Sequence, residues 1–129
     1  MIKILVIDND KDMCQLFSEI LQEEMYEVDI SYNGEDALLK IKKNSYDLLI
    51  LDYKLFGISG LTVLEKVRQI KPLIKVIMIS AFGSDSTKAK ARELGAGDFI
   101  DKPFDIKRFV QAVQDILTRK TNKEKLKKE

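Results

Sequence analysis

Five short apolar runs alternate along the chain with segments whose apolar residues recur at helical spacing. The runs are "KILVI" (3–7), "VDISY" (28–32), "DLLILD" (47–52), "KVIMIS" (75–80) and "DFI" (98–100). Between them, Met13, Leu16, Phe17, Ile20 and Leu21 mark one helix face, and Ala37, Leu38 and Ile41 a second. Leu61, Leu64 and Val67 mark a third, which Ser59 can cap. A polar fourth helix is expected from about Ser84 to a stop at Gly95. A fifth opens at Asp105 and carries Ile106, Phe109, Val110, Val113, Ile116 and Leu117 on one face. Strands that alternate with helices over short connections must run parallel, because each helix carries the chain back to the same end of the sheet. The central runs are apolar at every position, as strands covered on both faces must be. The second run alternates apolar and polar, as an edge strand would.

With 129 residues, 45% hydrophobic and 33% charged, the chain is long enough for one domain with a real core. No apolar run reaches membrane-spanning length and the N-terminus lacks a signal pattern, so a cytoplasmic protein is expected. The single Cys14 cannot form an internal disulfide and reads as a small apolar residue of the first helix. Histidine is absent, which excludes His-based acid–base dyads and His-ligated zinc. Any phosphohistidine chemistry must use a partner's histidine. Net charge is +1, but residues 118–129, "TRKTNKEKLKKE", carry six basic and two acidic side chains, leaving the rest negative by three. That run contains no aromatic residue to stack on bases. It reads as a solvated helix extension or linker, and neither nucleic-acid nor membrane binding is expected of it.

Polar residues collect where the strands end. The first strand runs into Asp8-Asn9-Asp10, the third ends in Asp52 and the fourth in Ser80, and Lys102 lies just past the fifth. Ligands of open α/β sheets bind beyond these carboxyl ends, where the strand order switches. Each residue alone has a structural explanation: a cap, a backbone hydrogen bond, a solvated side chain. Together they put two carboxylates on one rim, where they repel unless a cation lies between them. Few carboxylate oxygens plus water suit Mg²⁺, which often bridges carboxylate to phosphate. A hydroxyl and an ammonium nearby can hold phosphoryl oxygens. "DNDKDM" also mimics a calcium loop, with Glu19 at the twelfth position. It has Met13 where the loop needs glycine, and a strand where it needs a helix. No phosphate-cradling glycine loop is present.

These features in this order resemble the receiver domain of two-component response regulators: the acids after the first strand, "DLLILDYKLFGISG", "VIMISA" and "GAGDFIDKPF". The resemblance covers residues 2–120. It implies a flavodoxin-like, doubly wound fold whose five parallel strands have the order 2-1-3-4-5. It implies a receiver domain over residues 1–120 and a basic tail or linker over 121–129. Carried over residue by residue, it implies that Asp52 accepts the phosphoryl group from a histidine kinase or histidine phosphotransfer protein. Asp8, Asn9, Asp52 and the backbone carbonyl of Lys54 would hold Mg²⁺. Ser80 and Lys102 would bind the phosphoryl group, the Lys102–Pro103 bond would be cis, and Phe99 would swing inward with Ser80 on activation. A downstream output protein, or a second copy of the chain on phosphorylation, would read the altered surface. The chain would catalyse only its own phosphorylation and dephosphorylation. Lys54 and Phe82 match positions that tune self-dephosphorylation, and neither is an acid or amide, which implies a long-lived phosphoryl bond.

Two departures from the family pattern stand out. Asn9 replaces the second acid of the usual pair, and Phe56 replaces a loop proline. The first removes a negative charge from the metal site, and Asp10 is the nearest residue that could substitute. One enzyme reading competes. "DNDKD" also looks like the D-x-D of haloacid-dehalogenase-type phosphatases, with Asp8 as nucleophile and Asp10 as acid. That reading leaves Asp52 without a role.

Overall fold

The computed structural model describes residues 1–81 and 83–119. Phe82 and the tail expected over 121–129 lie outside the described residues. The order of elements is β1 (Lys3–Ile7), α1 (Lys11–Glu23), β2 (Glu27–Ser31), α2 (Gly34–Lys43), β3 (Leu48–Asp52), α3 (Gly60–Ile70), β4 (Lys75–Ser80), α4 (Asp85–Glu93), β5 (Asp98–Asp101) and α5 (Ile106–Thr118). The five strands form one parallel sheet in the order β2-β1-β3-β4-β5, as the resemblance implied.

Strand periodicity divides the apolar residues between two cores. Ile4, Val6, Leu48, Ile50, Ile77 and Ile79 face α1 and α5, where Phe17, Leu21, Phe109 and Val113 meet them. Leu5, Ile7, Leu49, Leu51, Val76 and Met78 face the other way, toward Ile41, Val63, Leu64 and Val67 of α2 and α3. A fully buried aliphatic side chain contributes about 1.5–3 kcal/mol relative to exposure, so a one-residue slip of a central strand would misplace both cores. Phe17, Phe104 and Phe109 cluster with ring centroids 5.0–5.4 Å apart and join α1, α5 and the loop before α5. Aromatic contacts of this kind add to what area burial supplies.

Side chains cap the helices where expected. Asp10 accepts the Asp12 and Met13 N–H groups, Ser59 that of Thr62, Ser84 that of Thr87 and Asp105 that of Lys107. Gly95 has φ +87° just after α4, a conformation that suits glycine. Three strand boundaries differ from the expectation: β3 starts at Leu48 rather than at residue 47, and the other two are β2 and β5. β2 is Glu27–Ser31 rather than 28–32, because Asn33 caps α2 and Tyr32 only bridges to it. β5 runs one residue further, to Asp101, which pairs with Ser80. Among the described residues no helix is long and apolar enough to cross a membrane.

Candidate phosphoacceptor site

β1 and β3 are neighbours in the sheet; the chain leaves β1 for β2 on one side and then crosses from β2 over β1 to β3 on the other. A crevice therefore opens beyond their carboxyl ends. It is a cleft of about 670 Å³ whose walls include Asp8, Asn9, Asp52, Lys54, Ser80 and Lys102. Six of the seven residues proposed from the sequence thus share one cavity, though they span residues 8 to 102.

Asp8, Asp52 and Ser80 are all buried, at 2%, 7% and 1% exposure. Lys102 reaches both acids: its Nζ lies 3.1 Å from Asp8 Oδ2 and 3.4 Å from Asp52 Oδ2. Its backbone N–H donates to the Ser80 carbonyl at 2.8 Å, which anchors the lysine to the end of β4. The next bond, Lys102–Pro103, is cis, as expected. The other oxygen of each carboxylate is also held. Asp8 Oδ1 accepts the Asp10 N–H at 2.9 Å, and Asp52 Oδ1 accepts the Lys54 N–H at 3.3 Å. A single ammonium thus serves two buried carboxylates.

The electrostatics follow from that shortfall. Burial, and then the neighbouring Asp8, push the Asp52 carboxyl up from 3.8 to about 6, against the pull of Lys102. Burial works against the charge on Lys102, but Asp52 and Asp8 outweigh it and raise its pKa. The cluster favours one more positive charge, and its donors are hard oxygens of the kind magnesium takes. Asp8 and Asp52 supply carboxylates, and half-buried Asn9 an amide oxygen on the same wall. Among the described residues no group of three or more Asp, Glu or Cys side chains converges. Asn9, beside Asp8 on the cleft wall, is a neutral amide where the resemblance expects a second acid. Asp10 caps α1, its Oδ1 accepting the Asp12 and Met13 N–H groups.

Phe99 lies apart from the cleft. Its ring packs against Gly83, where an added Cβ would come within 2.6 Å of Phe99 Cε1, and Lys88 Nζ lies 5.6 Å from the ring centroid.

Two supporting residues escaped the sequence reading. Gly60 follows the Ser59 cap, and an added Cβ there would lie 2.3 Å from the Asp52 carbonyl oxygen and 2.7 Å from Tyr53 Cα. Only glycine lets α3 start against the backbone that carries Asp52. The glycine after "FGIS" was visible, but nothing local said that it faces that strand end. Cys14 donates from Sγ to the Asp8 carbonyl at 3.1 Å, and burial pushes its thiol up to about 11. It braces the β1 end as a protonated, apolar neighbour.

Comparison with known proteins identifies the family. Residues 4–114 match the family model described as the response regulator receiver domain. The chain is 34% identical to the response regulator ArlR of Staphylococcus saprophyticus over 123 residues, which cover 95% of this chain and 56% of that protein. It therefore spans about half the length of ArlR, and 28% of another curated regulator that it matches. Among solved structures, a two-component response regulator from Clostridium difficile superposes with a TM-score of 0.88 at 33% identity, covering 92% of this chain and 98% of that one. The response regulator TrrA of Thermotoga maritima, determined in complex with Mg²⁺-BeF, superposes with a TM-score of 0.82 at 35% identity, covering 90% and 99%. The chain belongs to the response regulator receiver domain family of two-component systems.

Proposed function

We propose that Asp52 is the phosphoacceptor of this receiver domain. The phosphoryl group comes from the phosphohistidine of a partner histidine kinase or phosphotransfer protein. The observation that carries this reading is the convergence of Asp8 and Asp52 on one ammonium, in a cleft that Ser80 also lines. An Asp52 carboxylate oxygen attacks phosphorus, the bond to the donor nitrogen breaks, and the imidazole leaves with the bonding electrons. The product is an aspartyl phosphate. Little covalent chemistry is asked of the protein, so positioning and neutralisation of the phosphoryl oxygens supply the catalysis.

Lys102 is already within 3.4 Å of Asp52 and pairs with a phosphoryl oxygen there. Ser80, at the end of β4, offers its hydroxyl to another. Asp8, Asn9, Asp52 and the Lys54 carbonyl would hold Mg²⁺. When bound, the ion supplies divalent charge that offsets the oxygens of donor and acceptor. Phosphorylation adds negative charge and acceptor oxygens at this one point. Drawing Ser80 toward them biases the β4–α4 segment, and Phe99 of β5 follows. A downstream output protein, or a second copy of the chain, reads the changed face. The chain transfers phosphate only to and from itself, and works in the cytoplasm.

The test is intact mass after incubation with acetyl phosphate and Mg²⁺. The wild type gains one phosphate and Asp52→Asn gains none. Labelling that persists in Asp52→Asn and disappears in Asp8→Asn would reverse the assignment and favour the phosphatase scheme.

A further inference from the structure

The helix nearest the switch is fastened unevenly. α4 buries only Ala91, toward its C-terminal end. Its N-terminal half is held by the Ser84 cap and by Lys88, which pairs at 3.0 Å with an Asp101 carboxylate that is 57% exposed. Exposed pairs of this kind are weak fastenings. The C-terminal end is held differently. Arg68, in the last turn of α3, donates from Nε to the Leu94 carbonyl at 2.6 Å and from Nη2 to the Gly95 carbonyl at 2.9 Å. Its Nη1 donates to Ile74 at 2.6 Å and Pro72 at 3.2 Å, on the approach to β4.

Four hydrogen bonds from one planar, rigid guanidinium therefore join α3, the start of β4 and the end of α4. The carbonyls at a helix C-terminus lack intrahelical partners and carry the negative end of the dipole. Arg68 supplies donors and charge at that place. The backbone is shaped to admit it: Gly95 has φ +87°, and a Cβ there would lie 2.8 Å from Arg68 Nε. Just beyond, the Ala96 N–H bonds the Ala91 carbonyl and the Gly97 N–H bonds Val76.

We infer that Arg68 is the hinge pin of α4, a positioning residue that fixes the helix at Leu94–Gly95 so that a switch at Ser80 swings only its N-terminal end. The swing rests on the phosphoacceptor reading; the pin itself does not. A pinned lever restricts the altered surface to the Ser84–Lys88 end and its neighbours on β5.

Amide hydrogen exchange on the full chain tests this, for wild type, Arg68→Met and Arg68→Lys, each with and without beryllium fluoride and Mg²⁺. In unmodified wild type, the hydrogen-bonded amides of Leu94, Gly95 and Ala96 exchange at least about tenfold more slowly than those of Lys88 and Ala89. Arg68→Met abolishes that gradient and Arg68→Lys weakens it, while β1 and β3 amides hold their relative protection. With beryllium fluoride, altered exchange in wild type stops before Ala91, and in Arg68→Met it extends through Ala96. Even protection along wild-type α4 would overturn the hinge without any variant, as would an intact gradient in Arg68→Met. If beryllium fluoride changes nothing near Ser80 in either protein, the phosphoacceptor reading fails, and the gradient still decides the pin.

Discussion

Replacing Asp52 by asparagine removes a buried carboxylate from beside Asp8 but leaves the closer of the two ion pairs, Lys102 with Asp8 at 3.1 Å, in place. Asparagine has the shape of a protonated aspartate, so the variant mimics the low-pH form of the site. The sign follows from the direction of the Asp52 shift. A folded-state pKa above that of the unfolded chain means that folding favours the protonated carboxyl. Its contribution is fully present below about pH 3.8 and is lost as the pH rises through about 6. Between 3.8 and about 6 the carboxyl accumulates about 3 kcal/mol between its protonation states. That shift is already net of the 3.4 Å contact with Lys102, so Asp52→Asn stabilises the fold by up to about 3 kcal/mol at pH 8. The gain shrinks through pH 6 and vanishes near pH 4. Urea unfolding of both proteins with EDTA, at one-unit pH steps, measures it. Adding Mg²⁺ narrows the gap, because the ion stabilises the state that binds it and wild type offers one more carboxylate. An Asn variant less stable than wild type at pH 8, or a difference that does not change with pH, would refute the electrostatic account of the site.

Asn9→Asp restores a charge on the cleft wall and tightens Mg²⁺ binding about fivefold or more, on the order of 1 kcal/mol; a calorimetric titration that finds equal affinities would mean that residue 9 does not face the ion. Met25→Gly raises stability by about 0.5–1 kcal/mol in chemical denaturation, because exposed Met25 sits at φ +69°, which costs a side chain more than a glycine; a loss of stability would show that its side chain packs after all. Cys14 stays unmodified by a thiol reagent at pH 8 in native buffer and reacts fully in urea, since it is buried and its pKa is pushed up to about 11; rapid native labelling would contradict the bracing contact with Asp8.

Period-two and helical spacings are local signals, and they carried the elements. The central strands β1, β3 and β4 owe their two opposite apolar faces to alternation within five or six residues, and each cap is a side chain within three residues of the N–H it accepts. The boundary error at β2 arose because Tyr32 has strand chemistry, while the competing claim of Asn33 on α2 is visible only once the helix is in place. The rim was legible for a related reason: in a parallel sheet every strand ends on the same side, so Asp8, Asp52 and Ser80 had to meet. Distances were not legible. Lys102 comes to lie between acids 94 and 50 residues away, because strand order and the turn after β5 bring it there. Asp10 looked equally suited to capping or to ligation, and only α1's first turn shows which oxygen is already engaged. Arg68 gave no signal at all, for its four partners are backbone carbonyls, and carbonyls are the same in every sequence. Side-chain pattern thus determined the strands, the helices and the polar rim of this protein. Which charges share one counterion, and where α4 is fastened, were decided by long-range packing that places backbone and side chain in register across the sheet.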